Sequence, residues 1–298
     1  VEHIYDQLVA EVESNPWESP DNILESCYDY WALSELAGSL AWGTEQENYR
    51  DMAGQYQDTW LDKFKIMDER SDVMHGDGLY EGTLWQYRWF VPFDFRWIIE
   101  ELGGNAGLSQ ELDHFFNHNL FNIGNQPDIH VPFLYNAIGQ PWKTQELVTR
   151  LLTGPTVNYY GTHDKWDVPH IGRIFTDKPE GFLREMDDDA GTMSSWYVLA
   201  AMGLYPACVG EPVYWISSPL FHEVEISVPD GKNFKIVAEG REQGNIYIQS
   251  ATLNGREINR CWLSFSEIIS GGVFELKMGS KPNKNWGINK LYQTELFK

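Results

Sequence analysis

The 298 residues suffice to bury a sizeable core, as one large domain or as one domain with a small companion. A formal net charge of -22 excludes nucleic acid and anionic membranes as partners, because both need Lys and Arg patches that are missing, and leaves a neutral or cationic ligand or a hard cation. Aromatic residues make up 14% of the chain, with 13 Trp, a surplus over what a core requires and one that glycan contact commonly uses.

Taken in order, the apolar residues from His3 to about Trp42 recur at helical spacing, with Asn15-Pro16 and Ser19-Pro20 as a break between two helices. A third helix is predicted from about Glu45 to Phe64. The first segment, VEHIYDQL, is amphipathic and acidic, so any leader is expected upstream of Val1, and no apolar run approaches the twenty residues of a membrane span. A Gly-rich loop at Gly76 to Gly82 precedes a helix containing Trp85 to Trp89, a break at Pro92 and a helix near Asp94 to Leu102. Ser109 is the predicted N-cap of a helix reaching about Asn117. Pro132 to Ile138 and Lys143 to Leu152 read as two more helices, Gly154 to Arg184 as a polar loop, and Thr192 to Met202 as a further helix.

From about Val213 the period changes to two, in the segments at Glu223 to Val228, Phe234 to Val237, Ile246 to Gln249 and Val273 to Leu276, with turns at Pro229-Asp230-Gly231, Asn254-Gly255 and Gly271-Gly272. The expected fold is therefore mainly α: a helical region over residues 1–212 of the α/α-toroid type, and a small antiparallel β appendage over 213–298 packed on it. Cys27, Cys208 and Cys261 have neither a disulfide-framework nor a zinc spacing.

Three stretches can carry chemistry. Gly78 to Asp94 sets Trp85, Tyr87, Trp89 and Phe90 around Glu81, with Asp94 beyond a Val-Pro. Flat aromatic faces cover the C–H faces of a pyranose, and acids bond its hydroxyls or move a proton, so this is a candidate carbohydrate site; alternatively the tryptophans are core and Glu81 is a solvated acid. Gly124 to Tyr135 gathers Asn125, Gln126, Asp128 and His130 at a loop-to-helix junction, where oxygen donors suit calcium or simply cap the helix. Asp187-Asp188-Asp189 stands before the helix at Met193, and such a cluster persists most easily with a cation, a shared proton or a helix N-terminus, or else as a solvated loop. His114 and His118 lie four apart on one predicted helix, more a helix-face pair than a metal site without HExxH context.

The runs YEGTLWQYRWFVPFD, GNQPDIHVPFLYNAIGQPWKTQ and DDDAGTMSSWYVLAAMGLYP, with SSPLF, YIQSATLNG and GGVFELKMG further on, resemble the C-terminal half of glycoside hydrolase family 92, a family of calcium-dependent, inverting, exo-acting α-mannosidases. The resemblance implies an (α/α)6 toroid, although the predicted helices number fewer than twelve, and a mannose-containing glycan as partner, α-1,2 being the expected linkage. It places the general acid on Glu81, the water-activating base on Asp187 or Asp189, and the calcium on Asn125, Gln126 and Asp189; Trp85, Gln86, Asp94, Asp128 and His130 are the expected substrate contacts. Phe93 stands where the family usually has His, and Glu185-Met186-Asp187 replaces its Gly-Asn. The family resembles two-domain proteins with an N-terminal β-sandwich, so the chain is expected to be a fragment, one piece of a split protein or a reduced relative. The alternative from another class is a catalytically silent glycan-binding module, or a piece active only with that sandwich. The resemblance alone suggests an extracellular or periplasmic setting.

Overall fold

The structure, a computed structural model, describes residues 2–160, 165–179, 181, 186 and 188–297. They form two compact units, one from the described parts of Val1–Phe121 and Gln293–Lys298, the other from Asn122–Gly161 and Trp166–Tyr292. The division between them does not fall at the change of period near Val213.

In the first unit, α1 (Glu2–Glu13) is followed by α2 (Pro20–Ser39), α3 (Gly43–Ala53) and α4 (Tyr56–Lys63). Pro20 opens α2 at a position where a missing N–H costs nothing, and Leu24, Cys27, Trp31 and Ser34 form its buried stripe. The single helix expected from Glu45 to Phe64 is two, parted at Gly54-Gln55. Then come the short α5 (Leu84–Tyr87), α6 (Phe95–Glu101) and α7 (Gly104–Asn117). The last begins well before Ser109. Its apolar stripe of Leu108, Leu112 and Phe115 hides the first turn, which two left-handed glycines, Gly103 (φ 87°) and Gly104 (φ 79°), introduce. The Gln293–Lys298 segment is bound to α6: Phe95 N–H donates to Thr294 Oγ1 (2.9 Å), Arg96 N–H to Thr294 O (3.0 Å) and Leu296 N–H to Asp94 Oδ1 (3.3 Å).

The second unit holds the helices α8 (Leu134–Ala137), α9 (Pro141–Thr153) and α10 (Thr192–Met202), and the later, one-turn α11 (Phe265–Ile269). Part of the stretch expected as loop is a two-stranded sheet of β1 (Thr156–Tyr160) and β2 (Lys165–Gly172). Pro169 and the polar residues around it mask the alternation there. The remaining strands are β3 (Leu204–Tyr205), β4 (Val213–Ile216), β5 (Glu223–Val228), β6 (Lys232–Glu239), β7 (Tyr247–Leu253), β8 (Arg256–Ile258), β9 (Trp262–Ser264) and β10 (Gly272–Gly279). They make a three-stranded sheet, β3-β4-β9, and a five-stranded one, β5-β6-β10-β7-β8.

The appendage is not wholly antiparallel, because β10 lies parallel to β6, Gly272 opposite Phe234, while it runs antiparallel to β7. Phe234, Ile236, Ile248, Leu263, Phe274 and Leu276 point into one core, each worth about 1.5–3 kcal/mol of burial. Helix α9 is bonded to this sheet through Gln145 Oε1, which accepts Ile248 N–H (3.0 Å), and Glu146, which accepts the Tyr247 hydroxyl (3.0 Å). These bonds are why helices after residue 121 cluster with the strands rather than with the first helices.

Candidate functional site

Glu81 is carried by a tight loop, in which His75 (φ 58°), Asp77 (φ 55°), Gly78 (φ 82°) and Gly82 (φ 65°) all have left-handed backbone. The loop is tied at both ends. His75 N–H donates to Gly82 O (3.0 Å), and Tyr80 N–H donates to Oδ2 of Asp21, a fully buried residue in the first turn of α2 (2.6 Å). That bond brings Glu81 to α2, whose next turn carries Glu25.

The buried Tyr87 of α5 stands between the two acids: its hydroxyl lies 2.9 Å from Glu25 Oε1 and 3.4 Å from Glu81 Oε1. Burial, and the repulsion of Asp21, Glu81 and Asp29, push the Glu25 carboxyl up to about 7, against the lowering effect of the Tyr87 bond. The Tyr87 phenol is raised by its own burial and by the adjacent acids, so it remains a donor. Sequence reasoning missed Glu25. Its signal was the acidic row Asp21, Glu25, Asp29 at successive i,i+4 positions of α2, a spacing at which like charges repel.

The other residues predicted in this stretch have structural partners. Trp85 is buried, stacked on His114 (centroids 5.1 Å apart), with the Arg88 guanidinium over its ring. Gln86 is buried and spans Thr83 N–H, which its Oε1 accepts (3.0 Å), and Leu120 O, to which its Nε2 donates (3.3 Å). Asp94 is buried, accepts the Tyr56 hydroxyl (2.9 Å), and is pushed by burial up to about 6.

In the second unit, the loop at 122–130 is folded on its own side chains. Asn122 Oδ1 accepts Gly124 N–H (3.0 Å), Asn125 Oδ1 accepts Gln126 N–H (3.0 Å), and Asp128 Oδ2 accepts Asn122 N–H (3.0 Å). Gln126 is exposed and His130 buried. Asp128 is fully enclosed, which drives its carboxyl well above the usual range, and its Oδ1 has no hydrogen-bond partner among the described residues.

The acidic segment meets this loop. Met186 lies so close to Gly124 that a Cβ there would sit 3.0 Å from Met186 Cγ, and Trp196 Nε1 of α10 donates to Ile129 O (2.9 Å). Asp188 is engaged by Ser194, whose N–H and hydroxyl both lie 2.8 Å from Oδ1 and whose hydroxyl is 2.7 Å from Oδ2. Asp189 (φ 40°), Ala190 (φ 55°) and Gly191 (φ 93°) then take three successive left-handed conformations, strained at the two non-glycine positions. Asp187 lies outside the described residues.

Among the described residues no group of three or more His, Cys, Asp or Glu is placed to hold a metal. The expected calcium donors are of another kind: amide oxygens of Asn125 and Gln126 with the Asp189 carboxylate. An all-oxygen set with few charges fits a hard cation, and the enclosed, unsatisfied Asp128 Oδ1 in the same loop shows that this region holds polar atoms short of partners.

The catalytic-domain profile of glycosyl hydrolase family 92 matches residues 5–280. The chain belongs to this family. Among its relatives is an uncharacterised secreted glycosidase of Arthroderma benhamiae, 34% identical over 211 residues, which are 70% of this chain and 24% of that protein. The solved family 92 glycosyl hydrolase CcMan5 superposes with a TM-score of 0.89 at 26% identity, over 99% of this chain and 44% of that one. A family 92 inverting mannosidase of Bacteroides thetaiotaomicron gives 0.78 at 28% identity, over 94% and 40%. The chain thus spans less than half the length of each of these relatives.

Proposed function

We propose that the family 92 chain belongs to an inverting, calcium-dependent glycosidase that removes terminal α-linked mannose, with α-1,2 the expected linkage and an (α/α)6 toroid the expected architecture. The observation that carries this reading is Glu81 held in a cluster of acids within the family match. Inversion needs one protonated carboxylic acid at the leaving oxygen and one carboxylate to activate water. Glu81 takes the acid role. The base falls on Asp187 or Asp189, since Asp188 is occupied by Ser194. Asn125, Gln126 and Asp189 would hold calcium, which when bound polarises sugar hydroxyls and favours a distorted ring.

The test uses the chain on aryl α-mannosides of poor and activated leaving groups, following the anomer released. Glu81→Gln is expected to cost far more on the poor leaving group, and equal loss on both defeats the acid role. Calcium is expected to raise the melting temperature, chelation to lower it, and Asp189→Ala to shrink the difference. A metal-free preparation indifferent to calcium defeats the metal site. A second reading, a glycan-binding piece that turns over only with further protein such as a β-sandwich domain, draws on the chain's 44% coverage of CcMan5. Mannoside binding without turnover by this chain favours it.

A further inference from the structure

We propose that the cleft between β8 and α11, within the second unit, binds an acidic sugar, a hexuronic acid whose carboxylate is clamped by Arg256. The inference goes beyond the mannosidase reading and uses none of the residues given catalytic or calcium roles above.

The strand register places Arg256. Leu253 of β7 stands opposite Arg256 and Ala251 opposite Ile258, while β10 sets Phe274 against Leu253 and Leu276 against Ala251. Residues directly opposite share a face, so Arg256 lies on the same face of the sheet as the core residues Ala251, Phe274 and Leu276, at the edge that β8 forms. Ile268 of α11 packs into that core. Beside it strand and helix leave a cleft of about 530 Å³, within the range of small-ligand sites.

The walls of the cleft are fixed. Asn254 (φ 51°) and Gly255 (φ 74°) make the two-residue left-handed turn that joins β7 to β8, and Asn254 Oδ1 accepts Val273 N–H (2.8 Å). A Cβ on Gly272 would collide with that side chain, so glycine lets the turn lock. Glu267 of α11 is spent on its neighbours: Oε1 accepts Arg260 Nη2 (2.5 Å), and Oε2 accepts the N–H and hydroxyl of Ser264 (2.9 and 3.0 Å). Arg256 is exposed and, among the described residues, its guanidinium has neither an ion pair nor a hydrogen bond, in a chain with 44 Asp and Glu to 22 Lys and Arg.

One uncompensated guanidinium matches one negative charge. Its fork of donors fits the two oxygens of a carboxylate, whereas a phosphate monoester, close to dianionic at neutral pH, calls for a second cation, and no other Lys or Arg lines the cleft among the described residues. The other lining groups select a sugar. Leu253 and Ile258 give an apolar wall for C–H faces, Asn254 Nδ2 is a donor, and the Ser270 hydroxyl, which donates to Ser266 O (2.7 Å), keeps its lone pairs for a sugar hydroxyl. A fatty or aryl acid would displace water from these groups without replacing its bonds. An inward charge on an edge strand also discourages pairing with another chain, a role that needs no ligand.

The deciding experiment is calorimetry with saturation-transfer NMR on the full chain, and it needs no turnover. The probes are the methyl glycosides of galacturonic and glucuronic acid, their neutral counterparts methyl galactoside and methyl glucoside, and glucose 6-phosphate. At least one uronide is expected to bind with a Kd on the order of millimolar, as an open cleft with one ionic anchor allows, and more weakly at high salt. Its neutral counterpart should bind about tenfold or more weakly. Arg256→Gln should weaken the uronide by a similar factor and Arg256→Lys by less, with melting temperatures near wild type.

Failure of both uronides to bind, or binding that Arg256→Gln leaves intact, overturns the site. Equal loss for uronide and neutral counterpart in Arg256→Gln overturns the carboxylate clamp. Glucose 6-phosphate binding more tightly than either uronide, and depending on Arg256, overturns the choice of a monoanion. An Arg256→Gln chain that self-associates while keeping its uronide affinity returns Arg256 to edge protection.

Discussion

Tyr87 and Arg88 are neighbours at the end of α5, and they face opposite electrostatic problems. The Arg88 guanidinium is buried but paired: Nη1 meets Glu111 (2.5 Å), Nη2 donates to Lys65 O (3.1 Å), and the rings of Trp60, Trp85 and Trp89 surround it at 5.9, 5.4 and 5.3 Å, leaving only Nε without a hydrogen-bond partner among the described residues. Tyr87 instead gathers Glu25 and Glu81, with Asp21 close by, and among the described residues no Lys or Arg forms an ion pair with Glu25. A structure built only for stability would resolve both sides as it resolves Arg88. Leaving like charges together costs stability, and groups so perturbed concentrate where protons are moved.

Four measurements would break or sharpen that contrast. The largest effect is expected on the acid side: Glu81→Gln should lower kcat/KM on a poor leaving group by roughly 100- to 10,000-fold, the range of general acid catalysis, while leaving the unfolding midpoint close to wild type. Arg88→Met should do the reverse, costing about 2 kcal/mol in urea unfolding. This is below the usual cost of breaking a buried pair, because Glu111, its side chain 36% exposed, can rehydrate.

The third measurement is stability against pH. Glu25, raised from 4.5 to about 7, and Asp94, raised from 3.8 to about 6, bind protons more tightly folded than unfolded. Their contribution is full below about pH 4 and is lost as pH rises to about 7, so the folded chain should weaken across that window. Glu25→Gln and Asp94→Asn should each flatten the slope; an unaltered slope in both places the proton linkage elsewhere. The smallest effect is expected from Asp188→Ala, which removes the Ser194 anchor before α10 and should cost about 1 kcal/mol in thermal unfolding.

What the sequence disclosed followed from local chemistry. Proline at the start of α2 and the switch of period at Val213, where β4 begins, are properties of a few adjacent residues. The parallel pairing of β10 with β6 was beyond it, because a period of two says that a strand has two faces and nothing about which strand lies beside it or in which direction. Glu81 and the acids before α10 were legible as motifs. Glu25 was not, since its neighbour Tyr87 is 62 residues away and only folding brings the acidic row of α2 to that hydroxyl. Likewise the three acids at 187–189 read alike until the fold engages Asp188 with Ser194.

The place of β10 bears on how the chain is made. It is the last strand of its sheet to leave the ribosome, yet it occupies the centre, between β6 and β7. Until it arrives, the β5-β6 and β7-β8 hairpins each expose an edge that must stay unpaired, at risk of joining another copy. Synthesis interrupted before Gly272 should therefore yield an aggregating, protease-sensitive product rather than a shortened but folded one. The final strand acts as a checkpoint on completion of the sheet.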